Sequence, residues 1–179
     1  PEAGNELQAL CGMVDWVFTA EERNNPAPPS GAELLAKDKH VAYVIGYPDG
    51  EVKPGKDITR AEVATIFFRL LTDEARASYW SKTNAFRDVA YDKWYNNAIS
   101  TMANAGIVTG YPDGTFRPDE PITRAEFAAI ASRFSKAQQT AHCGFTDVEK
   151  SYWAYDEIAL AEQLGWVNGY PDGTFRPKQ

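Results

Sequence analysis

Apolar residues recur along this chain at the spacing of helix faces, separated by short stretches rich in glycine, proline and charge. Val63, Ile66, Phe67, Leu70 and Leu71 follow an i, i+3, i+4, i+7, i+8 pattern, and Phe127, Ile130, Ala131 and Phe134 follow the same pattern. Tyr95, Ala98, Ile99 and Met102 form another stripe, mirrored by Ala154, Ile158 and Ala161. The pattern predicts an all-α fold with helices near residues 59–72, 94–105, 123–135 and 153–164. A further stripe, Leu7, Leu10, Val14 and Val17, predicts a helix over residues 4–20. The segment after it, EERNNPAPPSG, has three prolines and a glycine and is expected to be a linker.

The polar stretches between stripes are copies of one another. GYPDGTFRP occupies 110–118 and returns at 169–177, and a looser copy, GYPDGEVKP, sits at 46–54. FRDV at 86–89 and FTDV at 145–148 share the spacing of 59 residues, and ITRAE appears at 58–62 and 122–126. The shared order and spacing define an internal repeat. Residues 33–79 form the first copy, with a divergent start, 80–140 the second and 141–179 the third. By this register the third copy would reach its threonine at about position 182. Because the chain ends at Gln179, that copy is expected to lack its second helix. Residues 1–32 stand outside the repeats, and the helix over 4–20 is expected to pack on the third copy, near Trp153 and Trp166, in the same chain or in trans from a neighbouring copy.

Each motif has a structural explanation and some invite a functional one. Tyr-Pro-Asp-Gly suits a type I turn, with proline second, aspartate third and glycine fourth. Tyr47, Tyr111 and Tyr170 could be half-buried props or could offer a ring face to a sugar. Thr59 with Glu62, and Thr123 with Glu126, have the spacing of a capping box. Asp88 and Asp147 are placed to cap a turn before the other helix of each unit. Arg60 and Arg124 follow the capping threonines, where the helix dipole disfavours a cation. An arginine there could join free helix-terminal amides in an anion site, or pair with a nearby carboxylate. Trp94 and Trp153 open the first helix of the second and third copies.

Composition narrows the function. Hydrophobic residues make up 44% and aromatics 13%, which marks a globular chain, and the net charge of −7 argues against a nucleic-acid surface. No apolar run approaches the ~18 residues of a membrane span. Cys11 and Cys143 form neither a disulfide scaffold nor a zinc pattern and are expected to be ordinary thiols. His142 and Cys143 are adjacent but make no nucleophile–base–orienter set, so catalysis is not expected. The Asp-Gly turns lack the alternating oxygen ligands of a calcium loop, so no metal or cofactor is expected.

The order F-x-D-V, Trp, GYPDGTFRP, ITRAEF closely resembles the S-layer homology repeat. Residues 86–134 match a unit from end to end, 41–71 match most of another, and 145–177 the first two thirds of a third. The resemblance implies a pseudo-threefold, three-pronged bundle of helix–loop–helix repeats on an exported protein of the bacterial cell surface. It implies non-covalent anchoring to the cell wall through a secondary polysaccharide that carries pyruvylated N-acetylmannosamine. Ligand would lie in grooves between prongs, and the family's TRAE arginine, which contacts the acidic sugar, carries over to Arg60 and Arg124. Arg60, Arg124, Tyr47, Tyr111, Tyr170, Trp94 and Trp153 are therefore the expected ligand-binding residues. A self-assembly module of a surface-layer lattice, with homo-oligomeric or lattice partners, is the alternative.

Overall fold

The computed structural model describes residues 34–36 and 42–179. The helix expected over 4–20 and the proline-rich linker lie outside the described residues. Among the described residues there are five helices and no strand. They are α1 (Arg60–Leu70), α2 (Asp73–Tyr79), α3 (Asn96–Asn104), α4 (Arg124–Ser132) and α5 (Tyr155–Gln163). Four coincide with the expected helices, slightly shortened at their ends, and α2 was not anticipated. None is long and apolar enough to cross a membrane.

The described chain divides into two compact units. The first contains 42–51 and Ile58–Pro121, and the second contains Val52–Asp57 and Ile122–Gln179. In the first, α1 packs against α3, and in the second α4 packs against α5. Each pairing joins the second helix of one sequence copy to the first helix of the next. A repeat of the sequence is therefore not a unit of packing.

Local chemistry explains the helix ends. α1 opens with a complete capping box: Thr59 Oγ1 accepts from the Glu62 amide, and the Thr59 amide donates to Glu62 Oε2 at 2.7 Å. Thr123 and Glu126 do the same for α4. α3 and α5 have no side-chain cap at their start. Their ends are closed by glycine. Gly106 and Gly165 adopt φ of 72° and 69°. The amides of Ile107 and Trp166 reach back to the Met102 and Ala161 carbonyls, and those of the glycines to Ala103 and Glu162. This double bond pattern is a Schellman motif.

Packing follows from the stripes. Ala98, Ile99 and Met102 on α3 are buried, as are Val63, Ala64 and Phe67 on α1. α4 is buried nearly all round: of its nine residues, only Glu126 escapes the buried class. Its four alanines and serine let backbones approach closely, and Phe127 and Ile130 fill the remaining volume. Burying one such large side chain stabilises by about 1.5–3 kcal/mol. α2 holds the end of α1. Thr72 caps the start of α2, and Arg76 donates to the carbonyls of Phe68, Arg69 and Leu71 at the C-terminal end of α1.

Candidate functional site

The repeated turn is a three-residue loop closed at both ends. The Gly114 amide donates to the Tyr111 carbonyl at 2.9 Å, and the Tyr111 amide to the Thr115 carbonyl at 2.7 Å. Gly114 takes φ of 80°, which suits a type I turn followed by a left-handed residue. Residues 170–174 and 47–51 carry the same two bonds. Asp113 Oδ1 accepts from the amide and hydroxyl of Thr115, and Oδ2 accepts from Arg117. These bonds hold the Asp113 carboxyl at about 2, and Asp172 is held at about 2 by Thr174 and Arg176.

The F-x-D-V segment is fastened to the strand-like exit of this turn. Phe86 lies 5.3 Å from Phe116 and Phe145 5.1 Å from Phe175, with Phe116 and Phe175 fully buried. Asp88 accepts from the amides of Phe116 and Arg117 at 2.8 and 2.7 Å, and Asp147 accepts from Phe175 and Arg176 in the same way. The expected turn-capping role of Asp88 and Asp147 is thereby corrected: each carboxylate spends both oxygens on a segment 28 and 29 residues away. Its backbone donors follow a buried phenylalanine and would otherwise lose their water partners.

Those amides belong to an unusual conformation. Arg117 and Arg176 have φ of 58° and 57°, and Lys53 in the first copy has 54°. A long side chain rarely adopts this region, and here three cations do so at one motif position.

Arg60 and Arg124 sit beneath the turn and are 5% and 7% exposed. Arg124 donates from Nε to the Phe175 carbonyl at 2.7 Å and from Nη2 to the Asn168 carbonyl at 2.9 Å. Arg60 donates to the carbonyls of Phe116 and Thr109. Burial pushes Arg124 below its ordinary value, with Tyr170 opposing. The helix-terminal amides expected to be free for an anion are taken. Those of Arg60 and Ala61 donate to the Glu120 and Pro118 carbonyls, and those of Arg124 and Ala125 to Gln179 and Pro177. The threonine caps take the third amide of each helix.

Tyrosine, both arginines and phenylalanine form one stack. The Arg124 guanidinium lies 5.1 Å from the Tyr170 ring centre and 4.5 Å from that of Phe175, while Arg176 covers Tyr170 at 3.8 Å. Arg60, Arg117, Tyr111 and Phe116 repeat the arrangement in the first unit. The hydroxyls of Tyr47 and Tyr170 donate to Glu62 and Gln179. Trp94 and Trp153 are 63% and 57% exposed. Trp153 borders a groove of about 380 Å³ lined also by Asp147, Ser151, Tyr152, Pro177 and Lys178. The positive-φ arginines escaped the sequence reading, because turn chemistry accounted for their neighbours and left them looking like solvated surface. Cys143 is half-buried, and among the described residues no three His, Cys, Asp or Glu side chains are placed to hold a metal.

The family model of the S-layer homology domain matches residues 43–64, 85–128 and 144–179. Over 162 residues the chain is 39% identical to cell surface glycoprotein 1 of Acetivibrio thermocellus, covering 84% of this chain and 7% of that protein. It is 36% identical to the cellulosome-anchoring protein of the same organism, over 89% of this chain and 36% of the relative. An amylopullulanase of Thermoanaerobacterium thermosulfurigenes is 37% identical over 82% of this chain, which corresponds to 8% of that enzyme. The chain thus spans a minor part of the curated relatives it matches. With three matched segments carrying the turn, the F-x-D-V strap and the capped helix, the chain belongs to the S-layer homology domain family. Its place is the bacterial cell surface, at the cell wall.

Proposed function

We propose that this chain anchors its protein by binding a secondary cell-wall polysaccharide non-covalently, with pyruvylated N-acetylmannosamine as the recognised unit, and that it is not itself catalytic. The observation that carries the reading is Trp153. A large indole, 57% exposed, stands at the edge of a polar groove and offers a ring face to a ligand. Carbohydrates suit such a groove because their apolar C–H faces stack on aromatic rings while their hydroxyls meet Ser151 and Lys178. Trp94, exposed at the equivalent position of the second copy, supplies a second platform.

In this reading Tyr47, Tyr111 and Tyr170 with Arg60 and Arg124 contribute ring surface and positive potential to ligand binding. The proposal includes the pseudo-threefold, three-pronged arrangement implied by the family resemblance, and the division into copies at 33–79, 80–140 and 141–179. Co-sedimentation with purified sacculi tests it. The chain should pellet with intact sacculi and stay in solution once the secondary polymer has been extracted. Self-association in the absence of any polymer would favour a lattice-assembly role instead.

A further inference from the structure

The repeated motif places two arginines over each tyrosine, and their environments differ. Arg124 is 7% exposed, and its Nε and Nη2 are committed to backbone carbonyls. Arg176 lies on the other side of the motif with 46% of its side chain exposed. Its backbone is held at φ 57° by Asp147, its Nη2 touches Asp172 Oδ2 at 3.0 Å, and its Nε approaches Thr174 Oγ1. Among the described residues nothing accepts from its Nη1. In the second copy that corner is occupied, since Arg117 Nη1 lies 3.7 Å from Glu120 Oε2. The residue matching Glu120 in the third copy is Gln179, and the one matching Asp119 is Lys178, which lines the groove beside Trp153.

Turn stability does not explain a cation here. Glycine or asparagine would occupy φ near +57° at lower cost. An exposed i, i+4 ion pair offsets little. Backbone strain kept at one position in all three copies, each time under a cation, points to a use for the side chain. The guanidinium lies over the Tyr170 ring, and Asp147 fixes the backbone from which it projects.

We infer that Arg176 is the residue that receives the carboxylate of the acidic sugar, that Arg117 does so more weakly because Glu120 competes, and that buried Arg124 is a positioning residue that holds Tyr170 under it. This rests on the reading of the chain as a wall-polysaccharide binder. A guanidinium edge whose Nη1 keeps both N–H groups suits a carboxylate better than a neutral hydroxyl.

The test uses the full chain, titrated with pyruvylated N-acetylmannosamine and with the same sugar lacking the ketal. Arg176→Gly removes the side chain and relieves the left-handed backbone, so its melting temperature should stay within a few degrees of the unsubstituted chain. It should weaken binding of the pyruvylated sugar at least tenfold and leave the ketal-free sugar unchanged, while Arg176→Lys should recover part of the loss. Arg117→Gly should cost less than Arg176→Gly. Undiminished binding by Arg176→Gly, or equal losses for both sugars, would overturn the assignment of Arg176 and leave the binding function standing. If the unsubstituted chain shows no preference for the ketal, the polysaccharide reading itself falls, and this inference with it.

Discussion

At Gly110 the motif leaves no room for a side chain. A Cβ there would come within 2.5 Å of Phe86 Cε1 and of the Thr115 carbonyl oxygen. Gly169 faces Phe145 and the Thr174 carbonyl in the same way. The first letter of GYPDG is therefore fixed by the phenylalanine of F-x-D-V, and Gly110→Ala should destabilise by about 1–3 kcal/mol through forced displacement of Phe86. Asp88 is a second such point. Replacing it with alanine strands two amides beside buried Phe116, and the expected loss is about 1–3 kcal/mol, read as a lower denaturant midpoint. Burial gives Arg124 a stability role that its sequence position did not reveal, and Arg124→Ala should cost about 2–3 kcal/mol by orphaning the Phe175 and Asn168 carbonyls. The turn aspartates report on pH. Asp113 and Asp172 titrate at about 2 in the fold against an ordinary 3.8. A depressed folded value stabilises above the unfolded pKa and loses that effect as pH falls. The melting temperature should therefore drop as pH falls from about 4 toward 2, and Asp113→Asn with Asp172→Asn should flatten that slope.

Among elements, the helices with the clearest apolar stripes were the ones legible in advance. α1 and α4 announce their starts through Thr-x-x-Glu, and α3 and α5 through their buried stripes. Their ends could have been read from Gly106 and Gly165, each followed by a large apolar residue, which is the sequence mark of a Schellman close. α2 could not be read from periodicity, because its seven residues make too few turns to show a stripe and only Ala75 is buried. It exists for its tertiary contacts: Arg76 gathers the carbonyls at the end of α1, and Phe68 lies under its guanidinium. Arg76→Ala should lower the melting temperature, with a cost of about 1–2 kcal/mol. For the site, residue types were legible and burial was not. The arginine beside the threonine cap looked like an anion receptor because a cation opposes the helix dipole there. Backbone carbonyls from the next copy take its guanidinium instead, Nε pairing with Phe175 across 51 residues, which no local pattern encodes.

At the scale of the molecule, packing runs one step out of register with the sequence. α1 belongs to the first copy and packs on α3 of the second, and its terminal amides end on carbonyls of residues 118 and 120. Residues 58–121 should therefore melt cooperatively when made alone, whereas residues 86–134, a complete repeat by sequence, should not, since the latter leaves the partners of both its helices behind. Circular dichroism melts of the two fragments check this. The same offset leaves Trp94 and Trp153 outside the cores, where replacing them removes ligand surface and little packing. The most direct test of the anchoring account is the binding isotherm of the full chain on sacculi bearing pyruvylated secondary polymer, compared with that of the Trp94→Ala/Trp153→Ala double variant. The account predicts at least a tenfold weaker Kd with a melting temperature unchanged within a few degrees. Full retention of binding by a folded double variant would contradict it.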